Sequence, residues 1–203
     1  MSIETMLIGV VAYLIGSVSF AVVVSKAMGL PDPHSYGSGN PGATNVLRTG
    51  NKKAAILTLL GDFLKGVAAV VFARWAAAKF GADAYAIPLA AFAVFLGHCW
   101  PIFHGFKGGK GVATAGGLFL GLSPALGGLV TLVWLAVAAI SRLSSLAAIM
   151  AAAAAPMLAA WWLGMGPVVW ALVSISAILI VRHRTNIRKI MAGTENKIGQ
   201  GKK

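Results

Sequence analysis

Residues 112–141 read VATAGGLFLGLSPALGGLVTLVWLAVAAIS, a stretch without one Asp, Glu, Lys, Arg or His. A run this apolar is either the buried core of a large soluble protein or a passage through lipid. Composition decides between them. Of 203 residues, 58% are hydrophobic and 11% charged, and mean hydropathy is +0.83. Soluble domains carry about 25% charged residues, so this chain cannot coat a water-facing surface of its size. Ser123-Pro124 divides the stretch. The leading part, near 112–122, is only ~16 Å long at 1.5 Å per residue, too short for a ~30 Å hydrocarbon core. A hairpin of a short helix and a longer one is expected.

Outward from this stretch, further apolar runs of membrane-crossing length occur at roughly 5–25, 54–74, 84–103, 145–163 and 167–182. Glu4, not a basic residue, precedes the first. A secretory signal would show a basic lead and a small-residue cleavage site, so residues 5–25 read as a retained helix. Lys26, Arg48, Lys52, Lys53, Lys107, Lys110, Arg142 and the tail residues Arg182, Arg184, Arg188, Lys189, Lys197, Lys202 and Lys203 share one side, against Arg74 and Lys79 on the other. The positive-inside rule then puts the N-terminus outside and the tail in the cytoplasm. That orientation needs an odd number of crossings. The reading is an all-α polytopic membrane protein, residues 1–203 forming one integral membrane domain. Seven transmembrane helices are expected, five full crossings plus the hairpin over 112–141; five crossings with a re-entrant hairpin is the alternative.

The formal net charge is +12. In a soluble chain that would suggest nucleic acid, but a basic groove needs polar surface and exposed aromatics that these runs leave no room for. Anionic head groups or anionic substrates fit better. A single cysteine, Cys99, excludes an internal disulfide and a multi-cysteine metal cluster. Trp75, Tyr85, Trp161 and Trp162 suit an outer aromatic belt and Trp100 an inner one. The alanine run 151–155 reads as close helix packing.

Unusual polar sequence collects on the cytoplasmic side in four places. Gly37-Ser38-Gly39-Asn40-Pro41-Gly42-Ala43-Thr44-Asn45 is followed by Arg48. Glycines alone would make a flexible connector; glycines with Ser38, Asn40, Asn45 and a following arginine make a loop that wraps an oxyanion. Gly39 and Gly42 supply the close approach. Phe106-Lys107-Gly108-Gly109-Lys110-Gly111 opens the short helix. N–H groups at a helix start beside two lysines form an anion site, whereas a positive-inside anchor would need the lysines but not the glycines. The stretch departs from a Walker A loop, because Gly111 follows Lys110 and His104 stands where the first glycine would be.

Arg142-Leu143-Ser144-Ser145 is a polar turn. On sequence alone Ser144 or Ser145 reads as a helix cap, with Ser145 kept as a candidate phosphate contact. In Arg182-His183-Arg184-Thr185-Asn186-Ile187-Arg188-Lys189, a helix would put His183 and Asn186 on one face. A basic surface helix accounts for the arginines but not for the His and Asn. Asp62 and Lys65 fall inside the second run at i, i+3, a spacing that permits a neutralising pair, and they read as structural support near the site. His98 and His104, beside the lysine loop, read as packing or hydrogen-bonding residues.

GSGNPGATNVLR at 37–48, GHCWPIFHGFKGGKGVAT at 97–114, HRTNIRKIMAGTENKIG at 183–199 and LGDFLKG at 60–66, in this order and setting, closely resemble the bacterial PlsY family of acyl-phosphate:glycerol-3-phosphate acyltransferases. The match covers essentially the whole chain. The resemblance implies transfer of a fatty acyl group from acyl phosphate to the 1-hydroxyl of sn-glycerol 3-phosphate, giving lysophosphatidic acid and phosphate at the start of phospholipid synthesis. It implies a bacterial inner-membrane protein with its active site on the cytoplasmic side, coupled to the soluble enzyme that forms acyl phosphate. It assigns Ser38 and Arg48 to the first functional motif, Lys107 to Gly111 to a glycerol-phosphate loop, and His183 and Asn186 to the third motif, with Glu195 structural. One departure is His34, where the common form is Asp-Pro-Arg.

The residues themselves make compatible demands. Two phosphate anions, one carrying an acyl chain, require two adjacent basic cradles beside an apolar groove. An acyl phosphate is a mixed anhydride with a good leaving group, so direct attack suffices, with Arg48, Lys110 and backbone N–H groups stabilising the departing phosphate. His183 or a substrate phosphate oxygen accepts the hydroxyl proton. The residues five after His34, His98, His104 and His183 are Gly39, Phe103, Gly109 and Arg188, so the His-x4-Asp chemistry of other glycerolipid acyltransferases is missing. Asp32, Asp62 and Asp83 are isolated, and neither a metal nor a cofactor is expected. The competing reading is a small transporter of a phosphorylated anion, because broken helices facing an anion are a transporter device. Against it, the motifs gather at one membrane face and no inverted repeat is visible.

Overall fold

A computed structural model gives the fold and describes residues 1–199; Lys202 and Lys203 lie outside them. In chain order the helices are α1 (Ile3–Ser17), α2 (Phe20–Ala27), the single turn α3 (Ala43–Val46), α4 (Lys52–Phe80), α5 (Ala86–Cys99), α6 (Val112–Leu122), α7 (Pro124–Ser141), α8 (Ser144–Leu163), α9 (Pro167–Arg182) and α10 (Arg184–Met191), with no strand among the described residues. Several starts follow from capping chemistry. Ser2, Asn51 and Ser123 each accept a backbone N–H three residues on, and Pro124 then occupies the first helical position of α7. The chain is an all-helical membrane protein. Five segments are long and apolar enough to cross a bilayer, and α9 joined to α10 through a 57° bend would make a sixth. The stretch 112–141 divides at Ser123 into the expected short and long helices.

Small residues let the helices approach closely, as lipid-embedded packing requires. A Cβ on Gly16 would collide with the Val94 carbonyl and one on Gly97 with the Tyr13 carbonyl, so α1 and α5 lie backbone to backbone. Gly66 and Gly117 play the same part between α4 and α6, against Thr114 O and Phe63 O. Residues along α6 meet successively later residues of α4, from Thr114 at Asp62 to Gly121 at Val70, so these helices run in the same direction. On α8 the face built from Ala147, Ala148, Ala151, Ala152, Ala155 and Ala159 is buried, and Ser176 of α9 donates to the Ala152 carbonyl at 2.6 Å. Trp75, Tyr85, Trp161 and Trp162 are exposed, as an aromatic belt requires.

Residues 5–25, expected as one helix, form two. The break falls at Val18-Ser19. Its cause lies outside the segment: the Lys65 ammonium donates to Val18 O at 2.7 Å, and Ser17 Oγ accepts from Ile102 N while donating to Tyr13 O. These partners satisfy groups that unwinding would otherwise strand. Three helix ends therefore meet beside Asp62 and Lys65: the C-termini of α1 and α5 and the N-terminus of α6. The α4 chain continues ten residues beyond that level to Lys52, which is ~15 Å of helix, flanked by α2 and α3.

Candidate functional site

The glycine–lysine loop is built against the end of α5. Gly109 donates to the His98 carbonyl at 3.2 Å, and Lys107 to His104 O at 3.1 Å. A side chain at Gly108 would run into His98 O and sit 2.7 Å from Cys99 O; one at Gly109 would meet the His98 ring and lie 2.9 Å from Pro41 O. The glycines are there for close approach. Gly111 adds a backbone reason: it caps α6 at φ +86°, where a Cβ would also strike the Phe95 ring. Two carbonyls of this loop, Gly108 O and Gly109 O, each accept from the Arg182 guanidinium at 2.7 Å. Among the described residues no protein acceptor faces the N–H of Lys110 or Gly111. These donors open α6, where the partial positive charge of a helix start is concentrated.

A second chain of contacts runs from this loop to the tail. Lys110 Nζ donates to Asn186 Oδ1 at 2.5 Å, and Asn186 Nδ2 donates to Glu195 Oε1 at 2.7 Å. Ser145 Oγ donates to the same Glu195 oxygen at 2.6 Å. Segments 76 and 50 residues apart in sequence are thereby joined. Burial lowers the Lys110 ammonium below the ordinary lysine range; Glu195 opposes this, while Lys189, Arg182 and Arg48 push the same way. The tail is also pinned at Arg142, whose carbonyl accepts from Ile198 N at 2.7 Å.

His183 caps α9 and is buried, with Nδ1 2.8 Å from Leu179 O. A carbonyl can only accept, so the neutral ring carries its proton on Nδ1 and leaves the lone pair on Nε2. The sequence expectation of a cap at Ser144 or Ser145 is not met. Leu143 occupies the cap without a side-chain bond, and the Ser145 hydroxyl is committed to Glu195.

The first loop presses on the second where Pro41 O meets Gly109. Its scaffold is Asn45, which is buried. Asn45 Oδ1 accepts from Ser38 N at 3.0 Å, and Nδ2 donates to Pro33 O at 2.8 Å and Tyr36 O at 3.2 Å. Its amide is thus spent on shaping the loop, which leaves Ser38, Gly39 and Arg48 on the exposed side, with Asn40 and Gly42 partly covered. Gly37 and Gly39 adopt φ +61° and +66°, and a Cβ at Gly37 would collide with Asn45 Oδ1. Arg48 and Thr49, with Leu30, Pro31, Tyr36 and Gly37, line a cavity of about 380 Å³.

Below both loops, Lys65 Nζ lies 2.8 Å and His98 Nδ1 3.5 Å from Asp62 Oδ1, all three side chains buried. Thr114 Oγ donates to the Asp62 carbonyl at 3.0 Å. The pair therefore ties α4 to the break after α1 and to the floor of the glycine loop. Two contacts lie outside the sequence reading. His34 bridges the loops, its Nε2 2.9 Å from Lys107 O and its Nδ1 2.7 Å from Asp32 Oδ1. Arg182, counted only as a tail charge, holds the glycine loop. Neither carried a sequence signal beyond lying next to a motif. The arrangement offers unpaired N–H donors, a lysine, an arginine and a neutral histidine at one end of the bundle, which suits binding of oxyanions and transfer of a proton.

The glycerol-3-phosphate acyltransferase family model matches residues 6–193. A glycerol-3-phosphate acyltransferase of Cupriavidus metallidurans is 58% identical over 198 residues, covering 98% of each chain, and one of Paraburkholderia phymatum is 57% identical over 200 residues, covering 98% of this chain and 95% of its own. The crystal structure of PlsY, an integral membrane glycerol 3-phosphate acyltransferase, in its glycerol 3-phosphate form superposes with a TM-score of 0.88 at 38% identity, covering 96% of both chains. Its lysophosphatidic acid form gives 0.86 at the same identity.

Proposed function

This chain belongs to the glycerol-3-phosphate acyltransferase family, and from that membership we propose that it transfers an acyl group from a fatty acyl phosphate to the 1-hydroxyl of sn-glycerol 3-phosphate. The carbonyl–phosphate bond of the donor breaks, an ester to the glycerol oxygen forms, and lysophosphatidic acid and inorganic phosphate leave. The observation that carries this reading is the chain Lys110–Asn186–Glu195–Ser145 beside the Gly109–Pro41 contact. It supports two adjacent anion cradles, as two phosphorylated substrates require. In this proposal Lys107 to Gly111 holds the glycerol phosphate, and Ser38, Gly39, Asn40, Gly42 and Arg48 hold the donor phosphate. Arg48 and Lys110 offset the charge that grows on the leaving group. His183 Nε2 takes the hydroxyl proton. Holding both substrates in register supplies several kcal/mol, an order-of-magnitude figure, through proximity.

The same reading covers topology and setting. Seven transmembrane helices, five full crossings plus the hairpin over 112–141, put the tail and site on the cytoplasmic side of a bacterial inner membrane, where a soluble enzyme supplies the acyl phosphate. The family match over 6–193 supports one domain. The test is phosphate release by purified protein in detergent, given palmitoyl phosphate with and without glycerol 3-phosphate, with acyl-CoA and EDTA arms. Release that needs both substrates and ignores EDTA is expected. Better turnover with acyl-CoA overturns the donor, inhibition by EDTA overturns the metal-free mechanism, and anion uptake by proteoliposomes without turnover favours the transporter.

A further inference from the structure

We infer that Arg182 is a positioning residue for the acceptor phosphate: by holding the carbonyls of Gly108 and Gly109, it aims the Lys110 N–H into the cradle. The inference deepens the function proposed above and rests on it. A trans peptide is planar, with its C=O and N–H pointing in opposite directions. In the peptide joining Gly108 to Gly109, the oxygen faces Arg182 at 2.7 Å and the N–H faces His98 O at 3.2 Å, so this unit is clamped on both sides. In the next peptide the oxygen of Gly109 also faces Arg182 at 2.7 Å, which turns the Lys110 N–H directly away from the guanidinium, with no protein acceptor among the described residues.

Glycines would otherwise leave these two peptides free to rotate, since no side chain restricts them. The guanidinium lies over the Trp100 ring, 5.2 Å from its centre, a cation–π contact that helps hold it in place. It also has a charge reason to be there. Two carbonyl oxygens pointing into a phosphate cradle would repel the anion; Arg182 draws both out of it. An ammonium is a point donor on a flexible stem, without the fixed fork that meets both carbonyls, so lysine is a poor replacement.

The experiment measures both substrate KM values, kcat and the melting temperature in detergent for wild type, Arg182→Ala and Arg182→Lys, with and without millimolar guanidinium. Arg182→Ala should raise KM for glycerol 3-phosphate roughly ten- to a hundredfold, the scale of one hydrogen bond to a charged group. KM for palmitoyl phosphate should stay within about twofold of wild type. Arg182→Lys should recover less than half of the loss, and guanidinium should rescue the alanine variant while leaving wild type unchanged. If Arg182→Ala does not fold, the same KM split is read from Arg182→Lys. Equal changes in both KM values, or a fall in melting temperature that accounts for the loss without guanidinium rescue, would overturn the positioning role. Wild-type protein that releases no phosphate from the two substrates would instead refute the function, so the two failures are distinguishable.

Discussion

Replacing Gly109 with alanine adds one methyl group where the glycine loop, the end of α5 and the first loop converge. The backbone there is not in the left-handed region, so the substitution carries no conformational penalty and acts through space alone. The new Cβ would overlap the His98 ring and lie 2.9 Å from Pro41 O. His98 cannot simply swing aside, because it is buried and its other nitrogen faces Asp62 Oδ1 at 3.5 Å. Overpacking of this kind costs about 1–3 kcal/mol. If the loop yields instead, it gives up the Gly109 bond to His98 O or the Arg182 bond to Gly109 O, each worth about 0.5–1.5 kcal/mol. Either route moves the Lys110 and Gly111 donors out of register. A loss of 1–3 kcal/mol corresponds to roughly a five- to 150-fold rise in KM for glycerol 3-phosphate, with a smaller rise for acyl phosphate. The assay is initial-rate phosphate release with each substrate varied in turn. Gly116→Ala, about one turn into α6, is the control: its Cβ would sit 3.5 Å from Phe63, an ordinary contact, and activity should be unchanged. Equal loss for both substrates, or no change in the glycerol 3-phosphate KM, refutes the assignment of this loop.

Other perturbations follow from the same geometry. His183→Ala should lower kcat by about 10²–10⁴ at saturating substrates; near-wild-type turnover would mean that a phosphate oxygen takes the proton. Lys110 must be protonated to hold phosphate, and burial lowers its pKa, so activity should fall as pH rises, before the ordinary lysine range is reached. In the pH–rate profile of Lys110→Arg, that basic limb should move upward, and an unmoved limb would assign it to another group. Glu195→Ala removes the oxygen that orients Asn186 and Ser145 and should cost roughly tenfold or more in kcat, on the scale of one hydrogen bond to a charged group. Glu195→Gln keeps an acceptor and should retain more of the rate. Asp62→Asn leaves the Lys65 ammonium buried without its counter-charge, which should destabilise the fold by about 3–5 kcal/mol, read as a lower melting temperature in detergent. Adding Lys65→Met should restore part of it, and no change in the single variant would show that water already reaches the pair.

Hydropathy and turn chemistry placed the long apolar helices on their own, the break after Ser17 excepted. No set of loops could bury the 112–141 stretch, and Ser123-Pro124 carries both a cap and a residue that the first turn of a helix accepts best, so the hairpin was legible to the residue. The four polar segments stood out for the same local reason: such clusters of polar and basic residues are rare in a lipid-embedded chain. What the sequence did not contain is the partner of each group. Ser17 and Ser19, which a membrane helix tolerates, do not by themselves announce the break at Val18, whose carbonyl is held by an ammonium 47 residues away. Asn45 and Ser145 carry the same donors whether they face substrate or protein; only folding directs one into its own loop and the other onto Glu195. Arg182 reads as one more basic residue until the bundle brings it against two glycine carbonyls. Local patterns fix where a helix begins and which face seeks lipid, since those preferences act over a few residues. Which donor meets which acceptor depends on how distant helices pack, and that only the tertiary structure decides.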